Sequence, residues 1–136
     1  MNSSERYAMI AARVLIATMF LLNGFNIIGQ SLAAHELALY GAPASLIPAL
    51  ILAARALQLI AGSCLILGIY PRISALALLL FLIPATIMAH SFWQSIGTPL
   101  YQVQLINFSK NLSMAGGLIF VIATRSQPVL LPHPNR

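Results

Sequence analysis

The sequence predicts an all-α protein, a transmembrane four-helix bundle, and three observations carry that reading. Hydrophobic residues make up 60% of the 136 positions and charged residues 7%, against roughly 45–50% and 25% in soluble domains. The apolar residues gather into four runs, near 8–30, 46–68, 73–93 and 105–124, each close to the roughly 20 residues that cross a bilayer's hydrocarbon core. None of the runs alternates apolar and polar residues as a barrel strand would, so each must satisfy its backbone polar groups within itself, as a helix does. A chain this short cannot hide so much apolar surface in its own interior, and lipid must cover the rest. Residues 1–136 read as a single integral membrane domain.

The elements follow from local signals. The first run follows the polar start Asn2-Ser3-Ser4-Glu5-Arg6 and holds Asn23 and Asn26 toward its far end. Gly41-Ala42-Pro43 and Pro48 punctuate the approach to the second run, and Gly68-Ile69-Tyr70-Pro71 supplies a turn between the second and third. Gly97-Thr98-Pro99 precedes the fourth run, and a polar tail over 125–136 with Pro128, Pro132 and Pro134 ends the chain.

The net charge of +5 comes from seven scattered Lys and Arg residues with no basic run, which argues against a nucleic-acid partner and makes them topology signals. Arg6, Arg72, Arg125 and Arg136 flank the spans on one side, while residues 31–45 and 94–104 on the other side contain no Lys or Arg. The positive-inside rule then places both termini in the cytoplasm and the protein in a plasma membrane, the bacterial inner membrane. Cys64 is the one cysteine, which rules out an intrachain disulfide or a Cys-pair metal site. His90 has only His35 as a companion outside the tail, so no metal site is expected, and no nucleophile–base set marks a catalytic residue.

Three cations interrupt the spans: Arg13, Arg55 and Lys110. A charge at the bilayer centre costs roughly 2.5–3.5 kcal/mol on insertion scales, so such residues normally face the bundle or snorkel to its edge. Both acids, Glu5 and Glu36, lie outside the spans, leaving amides, backbone carbonyls, lipid headgroups or a ligand as acceptors. Helical spacing puts Arg55, Gln58 and Gly62 on one face. Trp93 belongs at the headgroup level with His90 about one turn deeper. If the third and fourth spans are antiparallel neighbours, His90 and Lys110 come to similar depth, in one pocket with Asn111 and under Trp93, or facing different neighbours. The ligand-binding candidates are thus Arg55, Gln58, His90, Trp93, Lys110 and Asn111. Arg13, Gly24, Arg72, Gly116 and Gly117 are expected to serve packing or topology, small residues allowing close helix contact in lipid.

The chain resembles the DoxX family of small four-span membrane proteins over residues 8–125. The resemblance is carried by Arg13 with Phe20 and Gly24-Phe25, by Gln58 to Gly62 leading into Leu67-Gly68-Ile69-Tyr70-Pro71-Arg72, by His90-Ser91-Phe92-Trp93, and by Asn107-Phe108-Ser109-Lys110-Asn111-Leu112 with Gly116-Gly117. The chain departs from the pattern at Gln58, where a glutamate is common, and at Asn26-Ile27, near which a lysine is common. The resemblance implies a non-catalytic subunit or scaffold for membrane-associated redox enzymes, with a soluble or membrane redox enzyme as partner, a quinone as candidate cofactor, and an intramembrane quinone or anion pocket. A small anion transporter or pore, built as a homo-oligomer, and a subunit of a thiosulfate:quinone-type oxidoreductase are the alternatives.

Overall fold

A computed structural model of the protein describes residues 3–28 and 32–124. It contains five α-helices: α1 (Ser3–Gly24), α2 (Leu32–Leu39), α3 (Ile47–Leu67), α4 (Pro71–Ala89) and α5 (Tyr101–Ala123), with a short 3-10 turn over Phe92–Ser95. Four of them, α1, α3, α4 with the turn that follows it, and α5, are long and apolar enough to cross a membrane. The spans expected near 46–68 and 105–124 appear at Ile47–Leu67 and Tyr101–Ala123. The first is displaced toward the N-terminus: α1 stops at Gly24, where Phe25 N–H bonds Leu21 O, Ile27 N–H bonds Leu22 O and Asn26 turns to φ +62°. Asparagine tolerates that left-handed geometry better than other non-glycine residues. Residues 25–28 thus leave the expected span, and Gly29, Gln30, Arg125, Arg136 and the tail 125–136 lie outside the described residues.

The connector expected over 31–45 contains a helix, α2, too short to cross a membrane. Eight residues rise only about 12 Å, far short of a bilayer. α2 lies across one end of the bundle against α3 and α4, with Tyr40 Oη donating to Ile87 O at 3.4 Å just beyond its C-terminus. At the other end α3 closes on Gly68, φ +72°, whose N–H reaches Cys64 O and Leu65 O. Ile69 N–H also bonds Cys64 O at 2.9 Å, and Pro71 then starts α4 where its missing N–H is harmless.

The four long helices run up and down in a ring, α1 beside α3, α3 beside α4, α4 beside α5, with a much looser closure between α5 and α1. The core is small: Ala17, Phe20, Ala61, Leu65, Ala75, Leu78, Leu82, Leu118 and Val121. Leu15, Leu52, Ile60, Ile73, Leu80, Leu112, Ile119 and Phe120 remain exposed around the ring. An apolar girdle of that kind is an aggregation surface in water and an ordinary one in lipid. In lipid the hydrophobic effect does not pull helices together, so close packing and interhelical hydrogen bonds must hold the ring.

Close packing is achieved at three glycines. A Cβ on Gly24 would stand 2.7 Å from Leu59 Cγ, one on Gly62 3.0 Å from Leu21 Cδ2, and one on Gly117 2.9 Å from Ile16 Cδ1. These contacts set the antiparallel registers of α1 against α3 and against α5. Gly116, expected to pack in the same way, has nothing within 4 Å of its added Cβ and faces outward.

Candidate functional site

The polar residues of the spans fall into three groups. At the end of the bundle that carries α2, Arg55 projects from α3 and donates from Nε to Gly24 O at 3.1 Å. Gly24 is the last residue of α1, so its carbonyl is one of the acceptors a helix terminus leaves without an intrahelical donor, at the negative end of the helix dipole. Arg55 is a cross-helix cap. Sequence position alone sets it near the midplane of its span, but the early end of α1 brings a helix terminus beside it. Gln58, one turn further and 4% exposed, bonds from Nε2 to Ala54 O of its own helix at 3.2 Å. Its Oε1 is buried without a hydrogen-bond partner.

The second group joins α4 to α5. His90 caps α4, and its Nδ1 lies 3.0 Å from Gln104 Oε1 of α5. One turn deeper, Asn111 Nδ2 donates to Thr86 Oγ1 at 3.0 Å, and Thr86 in turn donates to Leu82 O at 2.7 Å. Phe92 packs edge-on against Trp93, Phe108 and Tyr101, with ring centroids 5.2, 5.1 and 6.2 Å away, and Trp93 also meets Phe108 at 5.9 Å. Trp93 is 43% exposed, the amphipathic position an interfacial anchor takes. The cluster explains why the His-x-x-Trp and Phe-x-Lys-Asn pieces occur together: the first wraps its aromatics onto Phe108 of the second.

Lys110 does not join His90. Gln104, the residue His90 touches, precedes Lys110 by six positions, about 9 Å along α5 and about 240° around it, and Lys110 is exposed. His90 and Lys110 therefore have different neighbours, and they stand at different depths rather than the similar depth expected for both arrangements.

The third group lies at the opposite end. Arg72, near the start of α4, donates from Nε and Nη2 to Thr124 O at 3.1 and 2.9 Å and straps the end of α5. Arg13, expected to serve packing or topology, is only 1% exposed and on the face of α1 that carries Ala17, Phe20 and Gly24. Its Nη2 has the thioether Sδ of Met9 at 3.3 Å, a weak acceptor, while Nε and Nη1 are buried with no hydrogen-bond partner. Beside it runs a groove of about 370 Å³ between α1 and α5, lined by Glu5, Ala8, Met9, Ala12, Arg13, Phe120, Val121 and Thr124. Sequence reasoning ranked Arg13 among the structural cations because nothing in a one-dimensional pattern shows whether a buried guanidinium meets an acceptor.

No group of three or more His, Cys, Asp or Glu side chains that could hold a metal ion occurs among the described residues.

Comparison with known proteins agrees with the architecture. The inner membrane protein YphA of Escherichia coli (strain K12) is 26% identical over 117 residues, covering 85% of this chain and 81% of that protein. No solved structure matches the chain. The profile of the DoxX family matches residues 8–91, which take in most of α1, all of α2, α3 and α4 and the cap residue His90, and the chain belongs to the DoxX family.

Proposed function

We propose that the protein is a multi-pass inner-membrane subunit that performs no chemistry of its own and anchors membrane-associated redox enzymes. The observation that carries this reading is the use to which its conspicuous polar side chains are put. Arg55, His90, Asn111 and Arg72 each bind a neighbouring helix or helix terminus, so the residues from which a reaction centre would be built act as interhelical fasteners. The redox character of the partner comes from the family resemblance. A surface for a partner is provided by α5, the least buried of the four long helices, where Ser109, Ser113 and Gly116 form an exposed strip of small residues at helical spacing. A second copy of the chain is the other occupant that strip would accept.

The test is purification from native membranes in mild detergent followed by native mass spectrometry of the intact complex. A co-purifying oxidoreductase supports the anchor, and a bound quinone would add the cofactor. A chain that always arrives alone, and reduces quinone unaided when given a sulfur donor, would replace the anchor with an enzyme. Anion transport is disfavoured within one chain, because the helix face above Arg13 is packed by Ala17 and Phe20, both fully buried. Anion flux into liposomes holding the purified protein would restore that reading.

Orientation follows from charge. Arg6 and Arg72 lie at one end of the bundle, while residues 32–45 and 94–104, without Lys or Arg, lie at the other. Reporters fused to either terminus are expected to show both in the cytoplasm. Opposite locations for the two termini would be incompatible with four spans.

A further inference from the structure

Among the described residues, buried side-chain nitrogens or oxygens without a hydrogen-bond partner occur at Arg13 and Gln58, and of these only Arg13 is a charged group. A buried charge is normally paired or hydrogen-bonded, and an unpaired one is among the most costly groups a fold can hold. Arg13 has five N–H hydrogens in a planar fork, of which the one recorded contact is to the Met9 sulfur. Nε and Nη1 have none. Yet the residue is fully enclosed by the chain and beside a groove large enough for a ligand, at about 370 Å³ within the roughly 300–1,000 Å³ of small-molecule sites.

Depth identifies the occupant. Ile16 packs opposite Gly117, so in this antiparallel pair Arg13 stands level with Phe120, four residues and about 6 Å inside Thr124. Thr124 is where Arg72 straps the bundle's end. Arg13 therefore lies about one turn below the headgroup boundary, and the first two turns of α1 project beyond it. Five of the eight lining residues, Ala8, Met9, Ala12, Phe120 and Val121, are apolar, and Phe120 is 66% exposed toward the surrounding lipid. Glu5 lines the same groove two turns along α1 from Arg13.

We propose that the α1–α5 groove is a binding site for the oxyanion headgroup of an anionic lipid of the surrounding leaflet, the loosely closed seam parting to bring phosphate or carboxylate oxygens onto the enclosed Arg13, with the hydrocarbon side of the molecule against Ala8, Met9, Ala12 and Phe120. Arginine suits such heads because its fork matches two oxygens at once. A free inorganic anion would bring its hydration shell against those apolar walls, whereas a lipid covers them with its own chains. The loose α1–α5 closure is the seam through which a lipid enters sideways. The inference is independent of the redox-anchor reading and would hold for a transporter or an enzyme of the same fold.

The test uses the full chain in a neutral detergent with dioleoyl phosphatidate, dioleoylglycerol as the headless comparator, and inorganic phosphate, read by native mass spectrometry and thermal unfolding. Phosphatidate is expected to form a one-to-one adduct and raise the melting temperature, and dioleoylglycerol to do neither. Arg13→Met should keep the fold and weaken phosphatidate binding by about tenfold or more, the scale of losing one charge-assisted contact. Ala12→Phe, which fills the groove and leaves Arg13 in place, should do the same, so the outcome does not depend on Arg13→Met folding. Lys110→Gln, ten residues and about 15 Å along α5 from Phe120, should leave binding unchanged and so excludes a general charge effect. Equal binding of phosphatidate and dioleoylglycerol, or undiminished binding in Ala12→Phe, would overturn the site. An Arg13-dependent shift with inorganic phosphate alone would reassign it to a free anion.

Discussion

Gly24→Leu is expected to destabilise the bundle by about 3 kcal/mol, the upper end of the usual cost of overpacking, and to do so by prising α1 from α3. A Cβ at this position already stands 2.7 and 2.8 Å from Leu59 Cγ and Cδ2 and 3.3 Å from the backbone oxygen of Arg55. Leu59 Cγ is close to its own backbone and cannot swing aside as a side-chain tip can. The added isobutyl group must therefore push the helices apart, and the Arg55 Nε to Gly24 O bond spans that same gap. Because packing and hydrogen bonds rather than water exclusion hold helices together in lipid, a lost close contact is not recovered by apolar burial elsewhere. Gly116→Leu is the matched comparison, since an added Cβ there meets nothing within 4 Å. It should be neutral or gain up to about 1 kcal/mol from the better helix propensity of leucine. Thermal unfolding in mild detergent checks both, and similar melting temperatures for the two variants would refute the α1–α3 register described above.

Arg55→Leu should cost about 2 kcal/mol, within the range for a hydrogen bond to a charged group. It removes the donor on Gly24 O and the positive charge at the C-terminus of α1 in one step. Arg72→Leu should cost less, about 1 kcal/mol or under, because its contacts to Thr124 O are solvent-exposed and compete with water. The comparison also separates a cap from a ligand site. A residue kept chiefly for a ligand can be removed from the ligand-free protein without loss, while a cap cannot, so an Arg55→Leu variant melting with the wild type would return Arg55 to the ligand-binding candidates.

These two expectations show where the sequence was readable. Gly24 and Arg55 were both conspicuous in one dimension, a glycine in an apolar run and a cation in a span, yet nothing in that pattern joined them. Their meeting depends on where α1 ends, and that was misplaced by six residues because Phe25, Ile27 and Ile28 extend the apolar run past Gly24, where the helix stops and Asn26 turns the backbone. Hydropathy registers what a residue prefers to touch, while a helix end is decided by dihedral angles and caps. The same difference hid α2, whose eight residues are apolar enough for the membrane and too short to cross it.

The His90 and Lys110 pair went astray for a related reason. Depth counted at about 1.5 Å per residue depends on where the helix starts, and α5 begins at Tyr101 rather than near 105, while azimuth depends on which face the neighbour presents. Gln104, rather than Lys110, is the α5 residue that His90 meets. Asn111 bonds Thr86, a threonine that drew no attention as one polar residue in an apolar run.

Composition and run length by themselves determined that this is an all-α chain with four helices of membrane-spanning length, because lipid admits no other open-ended backbone, and a 20-residue apolar run is visible without any partner. Tertiary structure alone decided which polar residues are fasteners and which is left over. Hydrogen-bond satisfaction is a relation between atoms on different helices, so the same kind of residue can be a satisfied cap at Arg55 and an unbalanced charge beside a groove at Arg13.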